Sequence, residues 1–107
     1  MVIKEMNING RKIGPQEPPY IIAEMSANHN GDIKNAYGII DMAIICGANA
    51  VKLQTYRADT LTINKDSSEF MIKGGLWDGK SLYELYEGAF MPWDWHKPLF
   101  EYAKKNN

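Results

Sequence analysis

A single cysteine, Cys46, stands in this chain of 107 residues. One thiol cannot close an internal disulfide, so a disulfide-stapled secreted scaffold is excluded and a reducing cytoplasm is the expected compartment. Charge of one sign is lacking too: twelve Lys and Arg oppose thirteen Asp and Glu, a formal net charge of -1. No basic cluster is interleaved with aromatics, so neither nucleic acid nor a membrane is expected as a partner. No apolar run reaches the roughly 20 residues that a bilayer-spanning helix needs, and no signal-peptide pattern opens the chain. Internal repeats and low-complexity tracts are absent as well.

What is present is ordinary globular composition, 45% hydrophobic and 23% charged, set out in a readable order. Residues 2–13 predict a hairpin, with Val2, Ile3, Ile8 and Ile13 around Asn9-Gly10, a dipeptide suited to the positive φ angles of a tight turn. Gly14 to Pro19 is an extended linker, because each proline fixes φ and disfavours helix before it. Tyr20 to Met25 predicts a strand, almost wholly apolar until Glu24, and Ser26 to Gly31 a polar loop. Asp32 is placed as the N-cap of a helix whose apolar stripe is Ile33, Ala36, Tyr37, Ile40, Ala43 and Ile44, close to the 3.6-residue period. Gly47 ends that helix, and Cys46 on it reads as a small buried hydrophobe.

Ala48 to Tyr56 then reads as a buried parallel strand, completing a βαβ unit with an expected right-handed crossover. From Arg57 to Gly79 the pattern weakens into an irregular excursion. Ser81 and Glu84 are spaced as a capping box for a helix to about Gly88. A last helix opens near Pro92 and carries Trp95, Leu99, Tyr102 and Ala103 along one side. Two parallel strands cannot form an independently stable sheet. The chain therefore reads as a hairpin and linker, residues 1–19, followed by residues 20–107, the opening βαβα portion of a larger α/β domain.

Lys52 is the most informative residue. Alternate side chains of a strand point to opposite faces, so Val51, Leu53 and Thr55 share one face and Lys52 and Gln54 the other. On a strand covered on both faces, an ammonium needs an anionic partner. Lys52 beside Gln54 therefore predicts a site for an anionic ligand, with a solvated edge strand as the alternative.

Residues 19–31, from Pro19 through Glu24-Met25-Ser26-Ala27-Asn28-His29-Asn30-Gly31, resemble the opening signature of the sialic acid synthase family. Gly47 to Tyr56, with Val51-Lys52-Leu53-Gln54-Thr55, is similar to that family's second strand. Ile72 to Gly79, Leu82 to Tyr86 and Pro92 to His96 resemble its pseudaminic acid synthase branch in particular. The resemblance covers nearly the whole chain from about Ile13.

It implies a (β/α)8 TIM barrel, usually followed by a small antifreeze-like domain. It also implies condensation of phosphoenolpyruvate with an N-acetylated amino sugar to a nonulosonic acid and phosphate, in a homodimer. Such a barrel needs roughly 250 residues and has its active site at the C-terminal ends of its strands, where Glu24, Lys52 and Gln54 fall. By resemblance Lys52 binds phosphoenolpyruvate, Glu24 is catalytic near the enol and sugar carbonyl, and Gln54 bonds the sugar. Asn28 and His29 either line the substrate site or fix their own turn. The family's divalent metal, Mn or Mg, is held by histidines on later strands, outside this chain, and His29 alone is no metal site.

His96 is expected to be packing or surface, and Trp77, Trp93 and Trp95 to form a core or subunit-contact cluster rather than a sugar-stacking platform; by resemblance to the pseudaminic acid synthase branch, the Gly74 to Gly79 loop shapes the sugar pocket. The isolated 107 residues are expected to be inert and poorly folded. Another phosphate-binding barrel enzyme, an aldolase or isomerase, and a non-catalytic oligomeric module are the alternatives.

Overall fold

The computed structural model describes residues 5–106; Val2 and Ile3 of the expected hairpin lie outside the described residues. Within them, β1 (Met6–Ile8) and β2 (Arg11–Ile13) pair antiparallel, with Met6 opposite Ile13. Asn9 and Gly10 take φ of 50° and 84°, as a two-residue hairpin turn demands, and Asn7 Oδ1 accepts from the Gly10 N–H at 2.8 Å. Arg11 ties the hairpin to the linker. Its guanidinium donates to the Pro18 and Pro19 carbonyls and lies over the Tyr20 ring, 5.2 Å from the centroid.

The βαβ unit forms as the periodicity predicts. Strands β3 (Ile22–Glu24) and β4 (Ala50–Lys52) are parallel, with Ile22 beside Ala50, Ala23 beside Val51 and Glu24 beside Lys52. Helix α1 (Ile33–Ile45) joins them, and Asp32 caps it by accepting from the Lys34 N–H at 2.8 Å. Both strands are shorter than the sequence suggests, because a two-stranded ladder has backbone partners for only a few residues. Asn49 sews its start: its Oδ1 accepts from the Ile21 N–H and its own N–H donates to the Ile21 carbonyl, both at 2.8 Å.

After β4 the excursion holds one helical turn, α2 (Ala58–Leu61), and a 3-10 turn at Ser68–Phe70. Helix α3 (Leu82–Ala89) then opens on the expected capping box. Ser81 Oγ accepts from the Glu84 N–H at 3.1 Å, and Glu84 Oε2 accepts from the Ser81 N–H at 3.0 Å. A 3-10 turn, Trp93–Trp95, leads into α4 (His96–Lys105).

Met25, Ala36, Ile40, Met91 and Leu99 form the buried core, with Val51, Leu53, Trp95, Tyr102 and Ala103 packed around it. Helices α1 and α4 thus cover one face of the β3–β4 pair. Tyr102 locks the two helices, donating to Asp41 Oδ1 at 2.7 Å and meeting Tyr37 edge to face at 4.8 Å. That hydrogen bond to a carboxylate holds the phenolic proton and raises the Tyr102 pKa.

The other face of the pair is open. The molecule measures 49 × 41 × 23 Å with a radius of gyration of 17.7 Å, against about 13 Å for a compact domain of this length. Its accessible surface, 8036 Å², likewise exceeds the roughly 6,000 Å² of a compact monomer of this mass.

Three expectations need correction. Lys52 lies on no covered face; its side chain is 51% exposed, because the helices cover only the Val51–Leu53 side. Cys46 is exposed, since it sits at the C-cap of α1, past the last buried stripe position, Ala43. The three tryptophans do not share one core: Trp95 packs against it, whereas Trp93 and Trp77 are about half exposed.

Candidate active site

Parallel register places Glu24 directly beside Lys52, so both side chains leave the open face at the C-terminal end of the sheet. They form an ion pair, Lys52 Nζ to Glu24 Oε1, at 2.5 Å, with the side chains 51% and 55% exposed. The anion that the sequence demands for Lys52 is therefore met inside the chain. A pair this exposed contributes at most about 1 kcal/mol to stability. It is a solvent-reachable cation and carboxylate held side by side by backbone geometry. Gln54 lies two residues beyond the end of β4 and is part-buried.

The loop after β3 is tightly wound. Ser26 and Asn30 adopt φ of 52° and 54°; asparagine tolerates that region, but for serine it is uncommon and costs of order 1 kcal/mol or more. Asn28 Nδ2 donates to the Met25 carbonyl at 2.9 Å. His29 is 1% exposed. Its Nδ1 accepts from the Gly31 N–H at 3.1 Å, which requires that nitrogen to be unprotonated, and its carbonyl accepts from Asn35 Nδ2. The ring meets Trp95 edge to face at 5.5 Å, and burial lowers its pKa. The structure thus brings Glu24 and Lys52 together, sets Asn28 in the adjoining loop, and turns His29 into the packed layer beneath that loop, hydrogen-bonded to neither charged residue.

A divalent metal finds no seat here. No group of three or more His, Cys, Asp or Glu among the described residues can hold one; Glu24 is engaged by Lys52 and His29 Nδ1 by the backbone.

Sequence reasoning missed a second polar cluster beyond β4. Thr55 Oγ1 and His96 Nε2 lie 2.5 Å apart, and His96 Nδ1 is 3.2 Å from the Trp93 carbonyl. Trp93 Nε1 donates to the Tyr56 carbonyl, and the Arg57 guanidinium stacks on the Trp93 ring at 4.7 Å. The signal in the sequence was faint: Thr55 and Arg57 stand more than 30 residues from Trp93 and His96, and only the fold joins the two pairs. No described helix is long and apolar enough to cross a membrane.

A parallel βαβ unit with polar side chains gathered at its strand ends has the layout of α/β folds, in which ligands are bound at that end of the sheet. The NeuB family model matches residues 39–107, and the chain belongs to that family. It is 53% identical over 85 residues to the pseudaminic acid synthase of Campylobacter jejuni, covering 79% of this chain and 25% of that protein. Against the pseudaminic acid synthase of Helicobacter pylori the identity is 47% over 89 residues, 83% of this chain and 26% of the relative. Among solved structures, the Bacillus subtilis spore coat polysaccharide biosynthesis protein spsE matches with a TM-score of 0.65 and 29% identity, over 96% of this chain and 25% of that one. The chain spans about a quarter of the length of the curated relatives it matches.

Proposed function

We propose that this chain forms the first strands of a (β/α)8 barrel that condenses phosphoenolpyruvate with an N-acetylated amino sugar, giving a nonulosonic acid and inorganic phosphate. The observation that carries the reading is the Glu24–Lys52 pair, exposed at adjacent strand ends in a chain of the NeuB family. Names of the relatives support the substrate class, and the open face of the sheet supports a further wall of barrel.

Lys52 acts on the anion. A carboxylate or phosphate of phosphoenolpyruvate offers the ammonium more negative charge than Glu24 does, so binding exchanges one partner for another. Glu24, released from the pair, then faces the reacting carbons as a free carboxylate. C3 of the enol attacks the sugar's aldehyde carbon, and the resulting alkoxide oxygen takes up the proton that Glu24 receives from the water added at C2. Water adds at C2 and gives its proton to Glu24. The tetrahedral intermediate expels phosphate, leaving the 2-keto acid. Gln54 and Asn28 supply amide groups suited to hydroxyl and N-acetyl functions, whereas His29 holds the loop that carries Asn28.

A divalent metal, Mn or Mg, belongs to this reading only with its ligands supplied by residues outside the chain. The full-length protein is read as a cytoplasmic homodimer, and residues 1–107 alone as catalytically inert. The test is formation of 2-keto acid and phosphate from phosphoenolpyruvate by the full-length protein, dependent on an N-acetylated amino sugar. Failure of every such acceptor, or borohydride trapping of Lys52 with a keto substrate, overturns the reading in favour of an aldolase. Pyruvyl-transfer activity in purified residues 1–107 overturns the expectation of inertness.

A further inference from the structure

We propose that the 3-10 turn Trp93–Trp95 and the adjoining His96 clamp the chain that runs on from β4, and that His96 is thereby a positioning residue for Gln54. The proposal rests on the synthase reading only for what Gln54 binds; the clamp itself stands on geometry. Strand β3 turns away at Ser26, whose φ is 52°. The ladder closes where the Met25 N–H donates to the Lys52 carbonyl at 3.1 Å. Among the described residues no backbone hydrogen bond joins Leu53, Gln54 or Thr55 to a neighbouring strand. Residues past the end of a ladder fray unless other contacts offset the entropy of holding them.

Three successive residues are tied to the turn instead. Thr55 Oγ1 lies 2.5 Å from His96 Nε2, and His96 Nδ1 lies 3.2 Å from the Trp93 carbonyl. A carbonyl only accepts, so Nδ1 carries the proton; in the neutral ring Nε2 then accepts from the Thr55 hydroxyl. The Trp93 indole N–H donates to the Tyr56 carbonyl at 3.1 Å, and the Arg57 guanidinium lies over the indole at 4.7 Å. This accounts for an indole left 47% exposed: its polar edge and its face both serve the chain that follows β4. The turn is anchored from beneath. Trp95 packs on the core, Leu99 one turn along α4 is fully buried, and the Trp95 N–H donates to the Pro92 carbonyl at 3.0 Å.

Gln54 is the side chain that this arrangement places. Val51 and Leu53 pack against the core and Thr55 reaches His96 at the start of α4, so alternate residues keep turning toward the helices after the ladder ends. Strand alternation puts the residues between them, Lys52 and Gln54, on the other side. Lys52 is steadied by Glu24, whereas Gln54 depends on the backbone of Thr55 and Tyr56 beside it. A ligand-binding side chain misplaced by about 1 Å loses much of its effect. His96 therefore acts on the acceptor through Gln54, without touching it.

The experiment is steady-state kinetics of the full-length protein with phosphoenolpyruvate and, as acceptor, N-acetylmannosamine or a diacetamido hexose. It is paired with amide hydrogen exchange on peptides covering Leu53–Arg57 and Ile22–Glu24. His96→Ala should raise the acceptor KM about tenfold and the phosphoenolpyruvate KM less than about twofold, and should speed exchange in Leu53–Arg57 alone. His96→Gln, whose amide can accept from Thr55 in place of Nε2, should bring the acceptor KM back to within about threefold of wild type. Thr55→Val removes the same hydrogen bond from its other end and should shift the acceptor KM as His96→Ala does, which keeps the test open if His96→Ala fails to fold. In a Gln54→Ala background, His96→Ala should add nothing to the acceptor KM, because the side chain it positions is already gone. An unchanged acceptor KM, a rise in both KM values together, or effects that add in the double variant overturns the proposal. A wild-type protein that condenses neither acceptor removes the synthase reading but not the clamp, which then stands if His96→Ala speeds exchange in Leu53–Arg57 and falls if it does not.

Discussion

Val51 and Lys52 are neighbours in one three-residue strand, yet they meet opposite surroundings. Val51 packs beneath helices α1 and α4 with Ile40, Leu99 and Ala103, whereas Lys52 stands half in solvent beside Glu24. On the covered face each side chain is held by its neighbours' volumes, and truncation leaves a hole. On the open face the side chains contribute little to folding, and their worth lies in what they can bind. A strand that divides stability and chemistry between its two sides separates the effects of mutation in the same way.

The largest effect that tests this division is on the covered side. Leu99→Ala should destabilise the full-length protein by about 2–5 kcal/mol, read as a drop in denaturant midpoint at unchanged slope. Lys52→Ala should do the opposite: condensation should fall by about 10²–10³-fold, the usual cost of removing a charge-stabilising donor. Unfolding free energy should move by less than about 1 kcal/mol. If Lys52→Ala unfolds the protein, or if it leaves activity intact, the two faces do not divide the work. Ser81→Ala should lie between, costing about 1 kcal/mol through loss of the α3 cap, with no change in phosphoenolpyruvate KM.

The smallest effect is read through pH. His29 is buried with its pKa lowered by desolvation, so below its ordinary value near 6.5 the unfolded chain takes up a proton that the folded one refuses. Stability should therefore be flat above that pH and decline as pH falls from it toward the depressed folded value. His29→Asn, whose Oδ1 can still accept from Gly31, should flatten the decline. An unchanged slope would mean that other groups govern it.

The local parts of the fold were legible because their causes are local. Asn9-Gly10, the Asp32 cap and the Ser81–Glu84 box each depend on a few adjacent residues and formed as expected, and the α1 stripe holds through Ala43 but fails at Ile44, which is exposed. The exposure of Lys52 and Cys46 was not legible, because burial depends on which layers lie opposite, and alternation along a strand is silent about that. The tryptophans separated for the same reason: nearness in sequence put Trp93 and Trp95 two residues apart, but one 3-10 turn aims them at different surroundings. Of the site, Glu24 and Lys52 could be found from strand periodicity and resemblance. Their mutual pairing required the register.

The exposed ion pair has one more consequence, for the chain's behaviour before it finishes folding. Among the described residues β4 pairs only with β3, so its outer side offers unsatisfied backbone groups, with Ile21, Ile22 and Phe100 also exposed nearby. Charged side chains on an edge strand discourage edge-to-edge pairing. Lys52 and Glu24 place two such charges at the end of this edge, so removing both should raise the chain's tendency to aggregate on refolding, read by light scattering.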